Sequence, residues 1–214
     1  MLRLALTKGR IEEEAVEILQ KSEYDVSELT DKGRRLLFKI KNAGIEVVLA
    51  KAADVITYIE HGVCDIGIVG KDTILERSSG KERGTPFYEV LDLNFGKCRF
   101  ALAGLKDKDI DFYGGYSQKV IATKYPNVAK RYFTEKGVDV EIVKIDGSVE
   151  LAPILGLADA IVDIVETGGT LKENGLVIYE EIAHISARVI VNKASIKLKK
   201  NEVDGFIGKI SGAI

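Results

Sequence analysis

The chain has 214 residues, a formal net charge of −2 and a pI of about 5.9. This balance excludes the broad positive field that holds nucleic acid, and no apolar segment approaches the length of a signal peptide or a membrane span. Cys64 and Cys98 are isolated from each other and from any cluster of metal-ligand spacing. We therefore expect reduced thiols in a cytoplasmic protein that binds neither nucleic acid nor membrane.

Short apolar runs alternate with helical patterns, which predicts α/β architecture built from parallel sheets. In the first half, a helix follows the first strand with Ile11, Ala15, Ile18 and Leu19 on its apolar face. The other elements predicted there are a strand at Leu2–Leu6, a hairpin of Leu36–Ile40 and Ile45–Leu49, a helix at Ala52–Glu60, and strands at Asp65–Val69, Val90–Leu93 and Cys98–Leu102.

The second half repeats the alternation after a polar, glycine-containing segment, Lys106–Tyr116, which predicts a loop. The elements predicted after it are strand Val120–Thr123, helix Pro126–Lys136, strand Val140–Lys144, helix Ser148–Leu155, strand Ala160–Val165, a short helix after Thr170, strands Leu176–Tyr179 and Arg188–Val191, and a lysine-rich final helix. Two such blocks predict two lobes that face each other across a central cleft. We assign residues 1–92 and 180–214 to a discontinuous lobe I, and residues 93–179 to lobe II.

The most informative segment runs from Ala160 to Leu171, where an apolar strand stops at Thr167-Gly168-Gly169-Thr170 and a helical pattern begins. Backbone N–H groups and hydroxyls at such a turn can bind phosphate, and glycine lets the anion approach closely. The strand also delivers Asp163 and Glu166, whose carboxylates can accept hydrogen bonds from sugar hydroxyls. The segment therefore predicts a site for a phosphorylated pentose, the alternative being an ordinary strand–helix turn.

Cations follow other predicted strands. Lys8 and Arg10 lie beside the start of the first helix, where the helix dipole disfavours positive charge unless an anion is bound. Arg34 enters the hairpin and Lys71 follows a third strand. For Lys8 and Arg10 alone, a solvated pair balanced by the three glutamates at 12–14 explains the pattern equally well. In a net-acidic chain, the cations taken together favour a polyphosphate pocket.

These segments resemble the short form of the ATP phosphoribosyltransferase family, over nearly the whole chain and in the family's order. The matching segments are Leu6-Thr-Lys-Gly-Arg10, Arg34-Arg-Leu-Leu-Phe38, Ala53-Asp-Val55, Tyr58-Ile-Glu-His-Gly62, Asp65-Ile-Gly-Ile-Val-Gly-Lys-Asp72, Ile121-Ala-Thr-Lys-Tyr125, Gly147-Ser-Val-Glu-Leu-Ala-Pro153 and Asp163-Ile-Val-Glu-Thr-Gly-Gly-Thr-Leu171. The resemblance implies a fold like that of type 2 periplasmic binding proteins. It also implies magnesium-dependent condensation of ATP with phosphoribosyl pyrophosphate, the first step of histidine biosynthesis, with Mg²⁺ bound to substrate.

On this interpretation, Lys8, Arg10 and Arg34 act on the phosphates of the reaction. The substrate-binding residues are Asp163, Glu166, Thr167, Gly168, Gly169, Thr170 and Leu171. The resemblance further implies a dimer of the chain alone, and a hetero-oligomer with a regulatory subunit resembling histidyl-tRNA synthetase, because the long form's regulatory domain has no counterpart after Ser195.

The chain departs from the family at two positions, with Lys51 where Arg is frequent and Ile56 where Pro is frequent. Lysine keeps the charge but loses the bidentate guanidinium, which puts an ATP-binding role for Lys51 in doubt. Two alternatives stay open at this point: another phosphoribosyltransferase, since residues 163–170 also resemble the donor motif of type I enzymes, and a two-lobed binding protein without catalysis.

Overall fold

The computed structural model describes residues 1–79, 84–108 and 118–214, so residues 109–116 of the predicted loop lie outside the described residues. The strands are β1 (Arg3–Thr7), β2 (Leu37–Ile40), β3 (Ile45–Ala50), β4 (Ile66–Gly70), β5 (Phe87–Asp92), β6 (Cys98–Leu105), β7 (Lys119–Thr123), β8 (Val140–Lys144), β9 (Ala160–Val165), β10 (Leu176–Ile185) and β11 (Ala187–Asn192). The helices are α1 (Arg10–Lys21), α2 (Ser27–Thr30), α3 (Ala52–Glu60), α4 (Lys71–Ser78), α5 (Pro126–Glu135), α6 (Leu151–Ile154), α7 (Gly169–Glu173), α8 (Lys193–Leu198) and α9 (Lys200–Ser211).

The first compact unit contains the described residues of 1–74, 84–96 and 186–214, and its sheet has the strand order β2-β3-β1-β4-β11-β5. Strands β3, β1 and β4 are parallel, while β2 and β11 run antiparallel to their neighbours. The predicted hairpin is confirmed as β2 and β3, with Phe38 opposite Val47. Helix α1 buries Ala15, Ile18 and Leu19 of its predicted apolar face against this sheet.

The second unit contains the described residues of 75–79, 97–108 and 118–185, and its sheet has the order β10-β6-β9-β7-β8. Strands β9, β7 and β8 are parallel, so their carboxyl ends lie at one edge. Strand β6 runs antiparallel to β9, which brings its amino end to that same edge. The mixed α/β fold with two sheets agrees with the predicted class. Both sheets also contain antiparallel strands, because β2, β6, β10 and β11 run antiparallel to strands beside them.

The bounds of these units differ from those of the predicted lobes at residues 75–79, 93–96 and 180–185. The longest difference arises from β10, which continues to Ile185 rather than stopping at Tyr179. Its two register irregularities against β6 interrupt the alternation of apolar residues that marks a strand in the sequence. Among the described residues, no helix is both long enough and apolar enough to cross a bilayer.

Candidate active site

The glycine turn predicted from the sequence lies at the carboxyl edge of the second sheet. Strand β9 ends at Val165, and α7 begins at Gly169. Gly168 is the residue that reverses the chain, with a φ of 81° that favours glycine over residues with a side chain. The segment is therefore a strand, a tight turn and a short helix, as the sequence predicts.

The exposed atoms of this turn come mainly from its backbone and from two threonines. The Thr167 Oγ1 accepts a hydrogen bond from the Gly169 N–H at 3.3 Å, and Thr170 is exposed. N–H groups in the first turn of a helix have no acceptor within that helix, so they can donate to a ligand. Leu171 differs from the others because its side chain is buried in the core. Only its main chain is placed to contact a ligand.

Asp163 is a half-buried carboxylate on β9, a few residues before the two glycines of the turn. Burial raises its pKa to about 6; the nearby Glu150 carboxylate also raises it, and the Ile164 N–H and Lys124 act in the opposite direction. The Ile164 N–H donates to the Asp163 Oδ1 at 2.8 Å. The structure thus groups Asp163 with Glu150 and Lys124, neither of which was among the site residues predicted from the sequence.

Lys124 is held at this edge by its neighbour Thr123. The buried Thr123 Oγ1 donates to the Val162 O at 2.6 Å and accepts from the Tyr125 N–H at 2.8 Å. Because Thr123 is opposite Val162 in the parallel pairing, the next residue of β7's strand end lies beside Asp163. The carboxyl ends of parallel strands share one edge of a sheet, and this rule could have identified Lys124 from the sequence.

We expect Asp163→Asn to stabilise the fold at neutral pH. The pKa of Asp163 is about 6 in the folded chain against 3.8 for an ordinary Asp, so the folded state binds more protons and loses stability as pH rises from about 4 through 6. The difference between the folded and ordinary pKa values corresponds to at most about 3 kcal/mol of unfolding free energy at neutral pH. Partial solvent exposure reduces the expected gain in stability to about 2 kcal/mol. Urea unfolding of both proteins at pH 7.5 and pH 4 measures the effect.

The difference between the two proteins should disappear at pH 4, where the carboxyl is protonated in the folded chain. Asp146→Asn is the matched control, because the Asp146 side chain is 83% exposed on the neighbouring loop and should change little. A variant at Asp163 that is no more stable than the parent at pH 7.5 contradicts the burial of a charged carboxylate.

The predicted cations of the first unit lie at the carboxyl edge of its parallel strands. Strand β1 ends at Thr7, and the Lys8 N–H donates to the Ala50 O of β3 at 2.9 Å. Gly9, with a φ of 97°, lets the chain turn at once into α1, whose first residue is Arg10. Lys8 and Arg10 are both exposed. Lys51 follows β3 at the same edge and is also exposed.

Two further cations of the predicted pocket have different environments. Lys71 forms an ion pair with Glu89, which also lies 3.4 Å from Arg188, so its charge is balanced within the fold. Grouping Lys71 with the phosphate-binding cations is therefore not supported. Arg34 is exposed and forms no ion pair or side-chain hydrogen bond with any residue in the described part of the chain. Its charge is therefore available to a ligand.

Magnesium was the one metal implied. Among the described residues, no group of three or more His, Cys, Asp or Glu side chains is arranged to hold a metal ion. Asp163 and Glu150 supply two neighbouring carboxylates, too few for a dedicated cage. This donor set fits the usual behaviour of Mg²⁺, which is bound by one or two carboxylates together with substrate phosphates.

A glycine turn after a buried strand, a half-buried carboxylate beside it and exposed cations at other strand ends are typical of α/β enzymes that handle phosphorylated substrates. Comparison with known proteins gives the particular family. The ATP phosphoribosyltransferase profile matches residues 51–212. An ATP phosphoribosyltransferase of Clostridium kluyveri is 63% identical over 98% of this chain and 92% of its own length. One of Clostridium botulinum is 58% identical over 100% of this chain and 98% of its own.

The structural comparison agrees. The fold matches the solved ATP phosphoribosyl transferase (HisG:HisZ) complex from Thermotoga maritima with a TM-score of 0.83 and 39% identity, covering 100% of this chain and 98% of that one. The chain belongs to the ATP phosphoribosyltransferase family. It is therefore a pentosyltransferase of histidine biosynthesis, and the alternatives of another phosphoribosyltransferase or a non-catalytic binding protein are not supported.

Proposed function

We propose that this chain joins ATP to 5-phosphoribosyl 1-pyrophosphate through its glycine turn and its exposed cations. Adenine N1 forms a bond to C1 of the ribose, and the bond from C1 to the pyrophosphate oxygen breaks with its electron pair on pyrophosphate. The products are N1-(5-phosphoribosyl)-ATP and pyrophosphate. Family membership supports this reaction, and the turn at Gly168 is the single feature of the structure that carries the assignment of the donor site.

The donor's 5-phosphate binds the backbone N–H groups and hydroxyls of Thr167–Thr170, with the Leu171 main chain completing the turn. Asp163 and Glu166 accept hydrogen bonds from the ribose hydroxyls. The pKa of Asp163, about 6, leaves it mostly ionised at neutral pH, which suits an acceptor. A raised pKa also indicates a carboxylate held away from water, where its hydrogen bonds to ligand are stronger.

The leaving pyrophosphate gains negative charge as C1 takes on oxocarbenium character. Lys8, Arg10 and Arg34 bind the phosphates and stabilise this charge, which is electrostatic stabilisation by preorganised cations. Catalysis rests on positioning and charge, because the reaction proceeds without a protein nucleophile. Mg²⁺ bound with the substrate would neutralise phosphate charge, and Asp163 and Glu150 are the carboxylates of the second unit that would hold it.

Incubating the purified chain with ATP, phosphoribosyl pyrophosphate and Mg²⁺ tests the proposal directly. We expect a product whose mass equals ATP plus one phosphoribosyl group, together with one pyrophosphate per product. Replacing ATP with free adenine separates this reaction from that of other phosphoribosyltransferases and should give no product. Product from adenine but none from ATP overturns the assignment.

Regulation by histidine is expected to need a second protein. The matching solved structure is named as a HisG:HisZ complex, and we propose that a regulatory subunit of that kind, resembling histidyl-tRNA synthetase, assembles with a dimer of this chain. Histidine resembles neither substrate, so feedback requires a site elsewhere and a partner that distinguishes two conformations.

The activity of the chain alone should persist in millimolar histidine, and it should become sensitive to histidine when the partner is added. Strong non-competitive inhibition of the isolated chain contradicts this division.

A further inference from the structure

Arg34 lies at the tip of a tight turn formed by residues 32–35. The Arg35 N–H donates to the Lys32 O at 3.1 Å, which closes the turn. Gly33 occupies its second position with a φ of 53°, a conformation that favours glycine. Arg34 is the third residue of the turn and projects from a closed backbone rather than from an open loop.

Side chains fix both ends of this turn. At its start, the Lys32 Nζ lies 2.7 Å from the Glu12 Oε1, and the Glu12 side chain is only 6% exposed. At its end, the Arg35 guanidinium donates to the Asp31 O at 2.7 Å and stacks over the buried Phe38 ring at 5.3 Å. Four consecutive residues thus include two that are tied to the fold and one, Arg34, that is left for solvent or ligand.

Glu12 connects this turn to the other predicted phosphate-binding cations. Its second oxygen, Oε2, accepts from the Gly9 N–H at 3.4 Å, at the turn between Lys8 and Arg10. One almost fully buried carboxylate therefore contacts both turns that carry Lys8, Arg10 and Arg34. A buried carboxylate without its cation is strongly unfavourable, so the pair with Lys32 is a strong constraint on where the second turn lies.

We propose that the Glu12–Lys32 ion pair is a positioning device for Arg34, holding its turn in register with the Lys8–Arg10 turn. Neither Glu12 nor Lys32 contacts substrate in this proposal, since Glu12 is buried and the Lys32 ammonium is directed to it. The inference rests on the proposed role of Arg34 in stabilising the leaving pyrophosphate. It predicts that Lys32 acts on the reaction only through Arg34.

A double-mutant cycle tests this dependence in the full chain. Lys32→Met keeps the aliphatic stem and removes the charge, and we expect kcat to fall about tenfold, with KM for either substrate changing less than threefold. The size follows from the large penalty for small misplacement of a catalytic group. Lys32→Arg should restore most of kcat. In an Arg34→Ala background, Lys32→Met should cause no further loss, since coupled residues are not additive.

Lys199→Met is the matched control, because the Lys199 ammonium also pairs with an almost fully buried carboxylate of this unit, Asp65 at 2.8 Å, which precedes β4 and contacts no residue of the turn among those described. It should leave kcat unchanged. Glu12→Gln is the second variant; its amide oxygen can still accept from Gly9 while the ion pair is lost, and kcat should fall as with Lys32→Met. Thermal unfolding of each variant separates loss of fold from loss of rate.

The outcomes are distinct. Losses of kcat that multiply in the double variant, or a Lys32→Met protein with unchanged kcat beside an Arg34→Ala protein with a large loss, overturn the positioning role and leave the proposed function standing. An Arg34→Ala protein with unchanged kcat overturns both. A loss of rate shared equally by Lys199→Met shows a general effect of charge and also overturns the inference.

Discussion

Replacing Arg34 with alanine is expected to lower kcat on the order of 10²-fold while KM for either substrate changes much less. The guanidinium is exposed at the tip of its turn and forms no ion pair with another described residue, so its charge is available to the leaving group. Charge on pyrophosphate grows as the bond to C1 breaks, and an interaction made mainly in the transition state appears in kcat. Steady-state kinetics with each substrate varied separately measures both constants.

Two other variants sharpen this result. Arg34→Lys keeps the charge but loses the bidentate fork, so its kcat should lie between those of the parent and Arg34→Ala. The control is Arg131→Ala, which removes an exposed arginine of the second unit that pairs with Glu135 of the same helix. It should leave kcat unchanged. An Arg34→Ala protein with normal kcat and raised KM identifies a ground-state binder, and the role at the leaving group is then wrong.

The turn at Gly168 could be predicted from the sequence because its signals are local. An apolar strand that stops at two glycines, followed by a helical pattern, allows few other conformations. The β2–β3 hairpin was predictable for the same reason, since Lys41-Asn-Ala-Gly44 joins two alternating runs and Gly44 has a positive φ. In each case neighbouring residues in the chain decide the backbone, and tertiary contacts only reinforce it.

The rest depends on contacts between residues distant in the chain. Helix α5 begins at Pro126 without a side-chain cap from its own N-cap residue, Tyr125. Its cap is the Glu76 carboxylate, which accepts the N–H of Val128 at 3.0 Å from 52 residues away. The balancing of Lys71 by Glu89 and of Lys32 by Glu12 are contacts of the same kind. Sequence periodicity carries no information on which carboxylate reaches which cation.

The pKa of Asp163 shows the same limit in an electrostatic property. Its place at the end of β9 follows from the sequence, but its burial and the closeness of Glu150 follow from the parallel order of β9 and β7 and from the position of α6. Sequence reasoning could select the residue as a sugar ligand. It could not predict that ionisation of the Asp163 carboxyl lowers the stability of the folded protein.

Substitutions at the two glycines of the donor turn should separate ligand binding from folding. At Gly169 an added Cβ meets only the Thr167 Oγ1, at an ordinary 3.6 Å, and φ is not in the left-handed region, so Gly169→Val should fold normally. If phosphate approaches the backbone here, the new side chain blocks it. We expect the dissociation constant for phosphoribosyl pyrophosphate with Mg²⁺ to rise at least about tenfold, a loss of about 1.4 kcal/mol.

Gly168→Val should impair both properties. The φ of 81° at Gly168 is unfavourable for a β-branched residue, which costs about 1–2 kcal/mol of stability in addition to the loss of binding. Gly208→Val is the matched control, because that helical glycine also has open space for a Cβ and lies in the other unit. Calorimetric titration of the donor and urea unfolding of all three variants give the two quantities. Unchanged donor affinity in a folded Gly169→Val protein removes the turn from the donor site, because a phosphate bound to these N–H groups leaves no room for the valine methyls.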